Sequence, residues 1–346
     1  MAIARYAAKL TGLYPHDPLE CLRVDMVSES LVDVKSLITE ISYRTPDEAA
    51  KAEKTQKLLE ESVPKTLKLL EGLVQKGPFF LDDKMTYADL QLFDLVQNQL
   101  VNFDGFSTIR HLDAGHVLPQ LSTPVELIRA HSRIYSASLK SQGPTTMAQP
   151  QLKLTYFDGK GRAELPRLIF NYGGIAFTDD RIAHADFAAL KPTLPFGQVP
   201  VLEVDGVVYA QSMAISRYAA KLAGLYPSDA VEGLKADMFS CSMGDLEGPF
   251  VDFMFKTQDE TEKAQKKKVF IEETVPKFFA ALEKAVAGKF ILGDKISYAD
   301  LQFFDLAANK LGWAFPDYKL DAFPKLAAVV ANVKAEPKIA AYLSKQ

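Results

Sequence analysis

Residues 1–15 read MAIARYAAKLTGLYP, and residues 213–227 read MAISRYAAKLAGLYP. The two strings differ at two of their fifteen positions. A self-similar segment at a fixed spacing indicates a duplicated structural unit. Because the first string recurs inside the chain, we interpret residues 1–15 as part of a folded unit and not as a targeting peptide.

The duplication continues along the chain but covers only part of it. At an offset of 212 residues, 62–65 (SVPK) matches 274–277 (TVPK). One inserted residue then changes the offset to 211, at which 86–91 (TYADLQ) matches 297–302 (SYADLQ). Residues 151–212 have no counterpart upstream. The second repeat is therefore whole, and the first repeat lacks its front.

These matches divide the chain into four segments. The first repeat spans residues 1–142, and a polar linker that contains proline spans 143–150 (GPTTMAQP). The second repeat consists of a front segment, 151–227, and a helical segment, 228–346. We expect the front segment and the helical segment to be separate domains.

Composition narrows the class of protein. The 346 residues are 48% apolar and 24% charged, which is typical of a globular protein and excludes disordered and collagen-like classes. A net charge of −4 does not favour nucleic-acid binding, and no apolar run is long enough to span a membrane. The five histidines show no zinc-type spacing with cysteine, so we expect no metal. Two cysteines, Cys21 and Cys241, fit a reducing compartment and predict a cytoplasmic protein.

The front segment alternates strands and helices. Residues 152–157 (LKLTYF) alternate as a strand does, and 161–172 has a helical pattern that tolerates Pro166 in its first turn. Residues 175–181 form the next predicted strand. Residues 199–209 (VPVLEVDGVVY) predict two strands around an Asp-Gly turn. Together with the helix that follows, the predicted order is β-α-β-(loop)-β-β-α.

That following helix carries an apolar stripe that both repeats share. In the second repeat, Ile215, Tyr218 and Leu222 recur at helical spacing, and we expect them to face the sheet. In the first repeat the same stripe runs from Ile3 to Leu10, but no front segment precedes it. An apolar stripe that stays uncovered is an interaction or aggregation surface.

A second local signal also occurs in both repeats. The strings 86–89 (TYAD) and 297–300 (SYAD) place an acid three residues after Thr or Ser, ahead of an apolar run. This pattern is typical of a capping box at a helix N-terminus. It predicts a helix that begins at the same place in each repeat.

Three motifs of the second repeat resemble those of the cytosolic glutathione transferases, most closely the sigma class with its prostaglandin D synthases. In chain order they are Tyr156-Phe157-x-x-x-Gly161-Arg162-Ala163-Glu164, Leu194-Pro195-Phe196-Gly197-Gln198-Val199-Pro200, and Gln211-Ser212. The resemblance implies an α/β plus all-α fold. In that fold, a thioredoxin-like β-α-β-α-β-β-α domain precedes a glutathione transferase C-terminal helical domain. Residues 1–142 resemble an extra N-terminal copy of the helical domain without the thioredoxin-like domain.

The resemblance implies Tyr156 and Arg162 as catalytic residues. Tyr156 matches the family tyrosine that donates its hydroxyl to the sulfur of glutathione. A free thiol has a pKa of about 8.5, and only the thiolate is a good nucleophile. A hydrogen bond donated to the anion lowers that pKa, and Arg162 would add positive charge beside it. Without the resemblance, Tyr156 also fits an aromatic residue of the core.

The same resemblance implies a set of residues that bind the glutathione peptide. The family proline that matches Pro200 is cis, which turns the backbone of Val199 toward the cysteinyl part of glutathione. Gln198 precedes it in the same motif. Gln211 and Ser212 match the pair that binds the γ-glutamyl end, and a helix N-terminus suits a carboxylate. From the residues alone, a strand-edge proline and a simple helix cap are open alternatives for Pro200 and Ser212.

Two further residues are assigned to the glycyl end of glutathione. Lys191 matches the family lysine that contacts the glycyl carboxylate. Phe187 occupies a family position that is often tryptophan, whose indole N–H reaches the same carboxylate. Phenylalanine cannot donate a hydrogen bond, so we expect a glutathione affinity weaker by about 1 kcal/mol.

Asp245 matches the helical-domain aspartate that, in the family, reaches the glutathione amine of the partner subunit, so the resemblance implies a homodimer. A solvated helix acid fits Asp245 equally well from the sequence alone. The first repeat retains the equivalent Asp33 but nothing equivalent to Tyr156 or Ser212, so we expect it to bind no glutathione by itself. Two hypotheses for the half copy stay open. It docks on the second repeat as an intramolecular pseudo-dimer, or a further glutathione-binding domain precedes Met1.

The predicted function is glutathione transfer, in which the thiolate attacks an electrophile in an apolar pocket and glutathione is the co-substrate. One alternative is glutathione-dependent isomerisation, as in the prostaglandin D synthases. Another is a structural or binding protein of the same fold that lost turnover, as in lens S-crystallins. The intact Tyr156 and Gln211-Ser212 favour an enzyme, whereas Phe187 and the incomplete duplicate favour the structural alternative.

Overall fold

A computed structural model describes residues 1–74, 77, 79–103, 106 and 150–346. The predicted linker, apart from Pro150, and the end of the first repeat lie outside these residues. Within the described ranges, no helix is both long enough and apolar enough to cross a membrane.

The described part of the first repeat is helical. Its α-helices are α1 (Ala2–Leu10), α2 (Pro18–Thr39), α3 (Glu48–Lys57), α4 (Val63–Glu71) and α5 (Tyr87–Asp94). Turns of π-helix at Glu40–Arg44, Leu58–Ser62 and Leu95–Gln99 and a 3-10 turn at Leu100–Asn102 continue these helices. Among the described residues of the first repeat, no β-strand occurs.

The front segment of the second repeat contains the predicted strands and helices. They are β1 (Leu152–Phe157), α6 (Glu164–Gly173), β2 (Thr178–Ile182), α7 (Phe187–Leu190), β3 (Val201–Val204), β4 (Val207–Ala210) and α8 (Ser212–Leu222), with 3-10 turns at Gly161–Ala163 and Lys191–Thr193. β2 begins three residues later than predicted. The reason is the end of α6, where Gly174 is left-handed (φ 64°) and the Ile175 N–H donates back to the Phe170 carbonyl at 2.9 Å. Residues 174 and 175 therefore close the helix.

The four strands form one sheet in the order β2-β1-β3-β4. β3 is antiparallel to both β1 and β4, and the predicted hairpin turns at Asp205 and Gly206, which both have positive φ. At one end of these ladders, Thr155 pairs with Val201 and Val201 pairs with Ala210. We call this row of three residues the end row.

The remainder of the second repeat is helical, as predicted. Its α-helices are α9 (Ala230–Val251), α10 (Glu260–Val269), α11 (Val275–Ala285), α12 (Tyr298–Phe304), α13 (Gly312–Ala314), α14 (Pro324–Ala335) and α15 (Pro337–Leu343), with π-helical turns at Asp252–Lys256, Phe270–Thr274 and Asp305–Leu311. Both predicted capping boxes are confirmed. The Thr86 and Ser297 backbone N–H groups each donate to the acid three residues later at 2.7 Å.

The chain divides into two compact units that cut across the two repeats. Unit 1 consists of Met1–Ala7, Phe157–Arg181 and Ser216–Gln346. Unit 2 consists of Ala8–Tyr156 and Ile182–Ile215. Each unit contains residues of both repeats, so the two repeats pack together inside each unit.

A buried carboxylate joins the repeats inside unit 1. Asp237 of α9 lies 3.1 Å from Arg5 Nη1 of the first repeat and 3.4 Å from Arg217 Nε of the second. The hydroxyls of Tyr226 and Tyr298 donate to it at 2.8 and 2.6 Å. Burial acts to raise the pKa of Asp237, but the two guanidinium groups and the two hydroxyls hold it well below its usual range. Asp237 is therefore an ionised centre of the core.

The shared apolar stripe has opposite surroundings in the two repeats. Ile215 and Tyr218 of α8 are buried, whereas Ile3 and Leu10 of α1 are exposed. The buried face of α1 consists instead of smaller or charged residues, Ala2, Arg5 and Ala8. The stripe is thus covered in the second repeat, whereas its Ile3 and Leu10 are exposed in the first repeat.

Candidate active site

Three predicted site residues meet at one end of the sheet. Tyr156, Pro200 and Gln211 each lie one residue beyond the end row, on β1, before β3 and after β4. Because β3 is antiparallel to both neighbours, one end of the sheet receives the end of β1, the start of β3 and the end of β4. The register of the sheet therefore brings together residues that are separated by up to 55 positions in the sequence.

The loop before β3 has the backbone geometry that the resemblance implies. The Val199–Pro200 peptide bond is cis. Gly197 is left-handed (φ 59°), and a Cβ atom there would lie 3.4 Å from Cγ of Lys191. The Lys191 side chain thus passes close to the loop that leads into the cis-proline.

The turn from β4 into α8 also has a special backbone. Gln211 is left-handed (φ 72°), which is uncommon for a residue with a side chain. Its carbonyl accepts the Ile215 N–H at 3.0 Å, so Gln211 takes the N-cap position and Ser212 is the first helical residue. The expectation that Ser212 is the cap is therefore wrong by one position, because the chain turns at Gln211. Ser212 still lies at the helix N-terminus.

A helix of the first repeat contacts this turn inside unit 2. The Ala210 N–H donates to Sδ of Met26 at 3.2 Å. The Gln211 side-chain amide donates to Oγ of Ser30 and to Oδ2 of Asp33, both at 3.1 Å. In the sequence, Asp33 is marked only as the equivalent of Asp245. This equivalence would predict the contact with Gln211 if the contact that the family makes between two subunits is made here between two repeats of one chain.

Arg162 lies in the 3-10 turn after β1 and belongs to an ionic network of unit 1. The Lys310 ammonium lies 2.6 Å from Oε1 of Glu247 and 3.4 Å from Oδ2 of Asp305. Burial acts to raise the pKa of Glu247, but the Lys310 ammonium and then the Arg162 guanidinium lower it below its usual value. Glu247 is therefore a carboxylate that interacts electrostatically with Arg162, and no sequence motif marks it.

Unit 2 contains most of the predicted site. It includes the following predicted residues: Tyr156, Phe187, Lys191, Gln198, Val199, Pro200, Gln211 and Ser212. Tyr156 and Phe187 are half-buried, Lys191 and Gln198 are exposed, and Pro200 is buried. Arg162 and Asp245 belong to unit 1. No group of three or more acidic, histidine or cysteine side chains in the described ranges could hold a metal ion.

Family models match both parts of the chain. The model described as glutathione S-transferase, C-terminal domain, matches residues 32–136 and again 244–346. The model described as glutathione S-transferase, N-terminal domain, matches residues 152–221. The two matches to the C-terminal domain confirm that the helical domain is duplicated.

Individual proteins show the same similarity. The haematopoietic prostaglandin D synthase of Gallus gallus is 37% identical over 198 residues, and glutathione S-transferase 1 of Ascaris suum is 36% identical over 211 residues. Each match covers 57% of this chain and 97% of the relative. Among solved structures, prostaglandin synthase D of Nilaparvata lugens is 33% identical with a TM-score of 0.54, over 57% of this chain and 98% of that one. The chain belongs to the glutathione S-transferase family.

Proposed function

We propose that the chain is a glutathione transferase in which Tyr156 stabilises the thiolate of bound glutathione. The observation that carries this proposal is the register of the sheet, which collects Tyr156, the cis-Pro200 and Gln211 at one end. A hydroxyl at the end of β1 can donate to a sulfur anion held by the neighbouring loop. Such a bond favours the ionised thiol and so raises the nucleophile concentration at neutral pH.

The peptide of glutathione is then held from three sides. The Val199 backbone pairs with the cysteinyl residue, and Gln198 lies beside it in the exposed loop. Ser212 and the first N–H groups of α8 bind the γ-glutamyl carboxylate, as a helix N-terminus does for anions. Lys191 binds the glycyl carboxylate, while Phe187 packs against that end without donating a hydrogen bond.

Arg162 has a supporting role in this proposal. The family resemblance assigns it a positive charge that favours the thiolate, and within unit 1 its guanidinium interacts electrostatically with Glu247. Asp245 would contact the glutathione amine of a second subunit if the protein forms a homodimer. If the first repeat serves as the second subunit, the protein is an intramolecular pseudo-dimer. Cys21 and Cys241 form no disulfide with each other, which supports a cytoplasmic location.

The reaction is a displacement or addition at an apolar electrophile. With an aryl halide, the glutathione sulfur forms a bond to the ring carbon and the carbon–halogen bond breaks. The halide leaves with the electron pair, and the thiol proton is released to water. No metal takes part in this proposal.

The test is conjugation of glutathione to an aryl halide by the full chain and by its Tyr156→Phe variant. We expect the variant to lose at least about tenfold in kcat, because the thiol pKa rises when the hydrogen bond is lost. The ultraviolet absorbance of the bound thiolate, titrated against pH, should show the same rise. Tyr43→Phe, at an exposed position, is the matched control. Wild-type activity that Tyr156→Phe leaves unchanged would contradict the proposal.

Glutathione-dependent isomerisation is the second candidate. It is favoured by the 37% identity to a protein named haematopoietic prostaglandin D synthase. An isomerase regenerates glutathione in every cycle, whereas a transferase consumes it. Product formation from a prostaglandin precursor with no loss of free glutathione would identify the isomerase. Glutathione binding with turnover of neither substrate class would point to a structural protein of the same fold.

A further inference from the structure

The loop that leads from β1 to α6 carries Arg162. Residues 158–162 (DGKGR) form this loop, which we call the β1–α6 loop, and all five are exposed. Two of them are glycine, and Gly161 is left-handed (φ 44°). Because glycine leaves the backbone wide conformational freedom, the position of Arg162 depends on contacts that other elements make to this loop.

Two arginines of unit 1 hold the β1–α6 loop. Arg167 of α6 is fully buried, and its Nη1 donates to the Gly159 carbonyl at 2.6 Å. Arg181 of β2 donates to Oδ1 of Asp158 at 3.1 Å. Asp179 accepts from Nε of both arginines at 2.9 Å, so the two contacts are joined. Of the two arginines, Arg167 is the buried one and therefore depends most on its own partners.

The buried partner of Arg167 is Glu164, which also contacts the last helix of the chain. Glu164 is fully buried, and its Oε2 lies 3.6 Å from Nη1 of Arg167. The Tyr342 hydroxyl of α15 lies 3.2 Å from each oxygen of this carboxylate, and the Gln346 amide donates to Oε1 at 3.0 Å. Burial, and then the Glu164 carboxylate, raise the pKa of Tyr342, so its hydroxyl stays a hydrogen-bond donor.

We propose that Tyr342 and Gln346 are positioning residues for Arg162. They hold Glu164, which fixes Arg167, and Arg167 fixes the β1–α6 loop in which Arg162 lies. This inference rests on the proposed function, in which the Arg162 charge favours the glutathione thiolate. It gives α15 a part in the reaction, although this helix contains none of the residues assigned to glutathione.

The test is the pKa of the thiol of bound glutathione, followed by the ultraviolet absorbance of the thiolate in the full chain. We expect Tyr342→Phe and Gln346→Ala each to raise this pKa by up to about one unit. With an aryl halide at pH 6.5, kcat should fall about twofold to tenfold, the range that corresponds to one hydrogen bond. The KM for glutathione should stay within about twofold. Gln346 is exposed, so Gln346→Ala serves even if Tyr342→Phe does not fold.

Tyr226→Phe is the matched control. The Tyr226 hydroxyl also donates to a buried carboxylate of unit 1, Asp237, at 2.8 Å. The two tyrosine variants thus lose the same kind of hydrogen bond at different places. We expect Tyr226→Phe to leave the thiol pKa unchanged. An equal rise in both variants would overturn the inference, since any loss of stability in unit 1 would then have the same effect.

A double-mutant cycle with Arg162→Ala separates positioning from other effects. If Tyr342 acts through Arg162, adding Tyr342→Phe to Arg162→Ala leaves the thiol pKa where Arg162→Ala alone puts it. Additive shifts would overturn the inference, and so would an unchanged pKa in both Tyr342→Phe and Gln346→Ala. A thiol pKa that Arg162→Ala leaves unchanged would instead refute the role of Arg162 in the proposed function, and the inference with it.

Discussion

The two repeats are similar in sequence, but equivalent residues of their first two helices differ in burial. Ile3 of α1 is 77% exposed, and its equivalent Ile215 of α8 is fully buried. In the next helix the order is reversed, because Met26 of α2 is buried and its equivalent Met238 of α9 is exposed. The four-stranded sheet precedes α8 in the chain, and α2 contacts the turn that joins the sheet to α8. By contrast, Ile3 of α1 and Met238 of α9 are exposed.

This difference teaches that an apolar face does not determine its own burial. Some local contacts, by comparison, are the same in both repeats. The Lys54 ammonium lies 2.6 Å from Glu40, and the Lys266 ammonium lies 2.7 Å from Asp252, at equivalent positions. This ion pair within the helical domain is therefore repeated, whereas the contact of Met26 with the front segment is not.

The largest expected effect comes from Asp237, the buried carboxylate that contacts both repeats. Asp237→Asn leaves Arg5 and Arg217 without their buried anion, and we expect it to lower the free energy of unfolding by about 3–5 kcal/mol. Urea denaturation at pH 7 measures the loss. Asp252→Asn, in an exposed ion pair, should cost about 1 kcal/mol or less. Equal losses in the two variants would contradict an ionised centre between the repeats.

The pH dependence of the same variant has a definite sign. The folded-state pKa of Asp237 lies below the unfolded value of 3.8, so its ionisation stabilises the fold above that pH. This contribution is lost as the pH falls toward the folded-state pKa. The stability difference between wild type and Asp237→Asn should therefore be largest at neutral pH and should narrow below about pH 4.

The next effect tests the comparison of α1 with α8 directly. Ile215→Ala should cost about 2–5 kcal/mol because it opens a cavity, whereas Ile3→Ala should stay within about 0.5 kcal/mol. Urea midpoints of the two variants measure both values. In the next pair of helices the order should be reversed, so that Met26→Ala costs more than Met238→Ala. A large loss at Ile3 would show that α1 is covered in solution.

The smallest effect concerns a charge that differs between the repeats. Lys35 pairs with Asp94 at 3.0 Å in the first repeat, and Glu247 takes the place of Lys35 in the second. Glu247→Lys replaces the anion that interacts with Lys310 and Arg162 by a third cation, and we expect it to lower the free energy of unfolding by about 1–3 kcal/mol, measured by urea denaturation.

A second substitution, at Lys310, gives the second repeat the first-repeat residue at that position as well. Gln99 is the first-repeat equivalent of Lys310, and its amide donates to Asp94 at 2.7 Å. Adding Lys310→Gln to Glu247→Lys should therefore recover most of the stability. The coupling between the two substitutions is obtained from a double-mutant cycle. Additive losses would show that the two positions do not interact.

The sequence by itself determined the local structure and the family. The strand at 152–157, the Asp-Gly hairpin and both capping boxes depend on neighbours a few residues away, so their patterns are visible in one string. The duplication, and the fact that it covers only part of the chain, are visible by comparing two strings. The motifs around Tyr156, Pro200 and Gln211 identified the glutathione transferase family before any contact was known.

Only the tertiary structure decided which contacts join the repeats. Three interactions link residues that are 85 to 232 positions apart. They are the pairing of Arg5 with Asp237, the contact of Asp33 with Gln211, and the electrostatic interaction of Glu247 with Arg162. The sequence carries Asp33 and Asp245 in equivalent strings, and no local pattern distinguishes them. The physical reason is that burial and charge pairing depend on what lies across the fold, and the single front segment can lie against only one copy of each helix face.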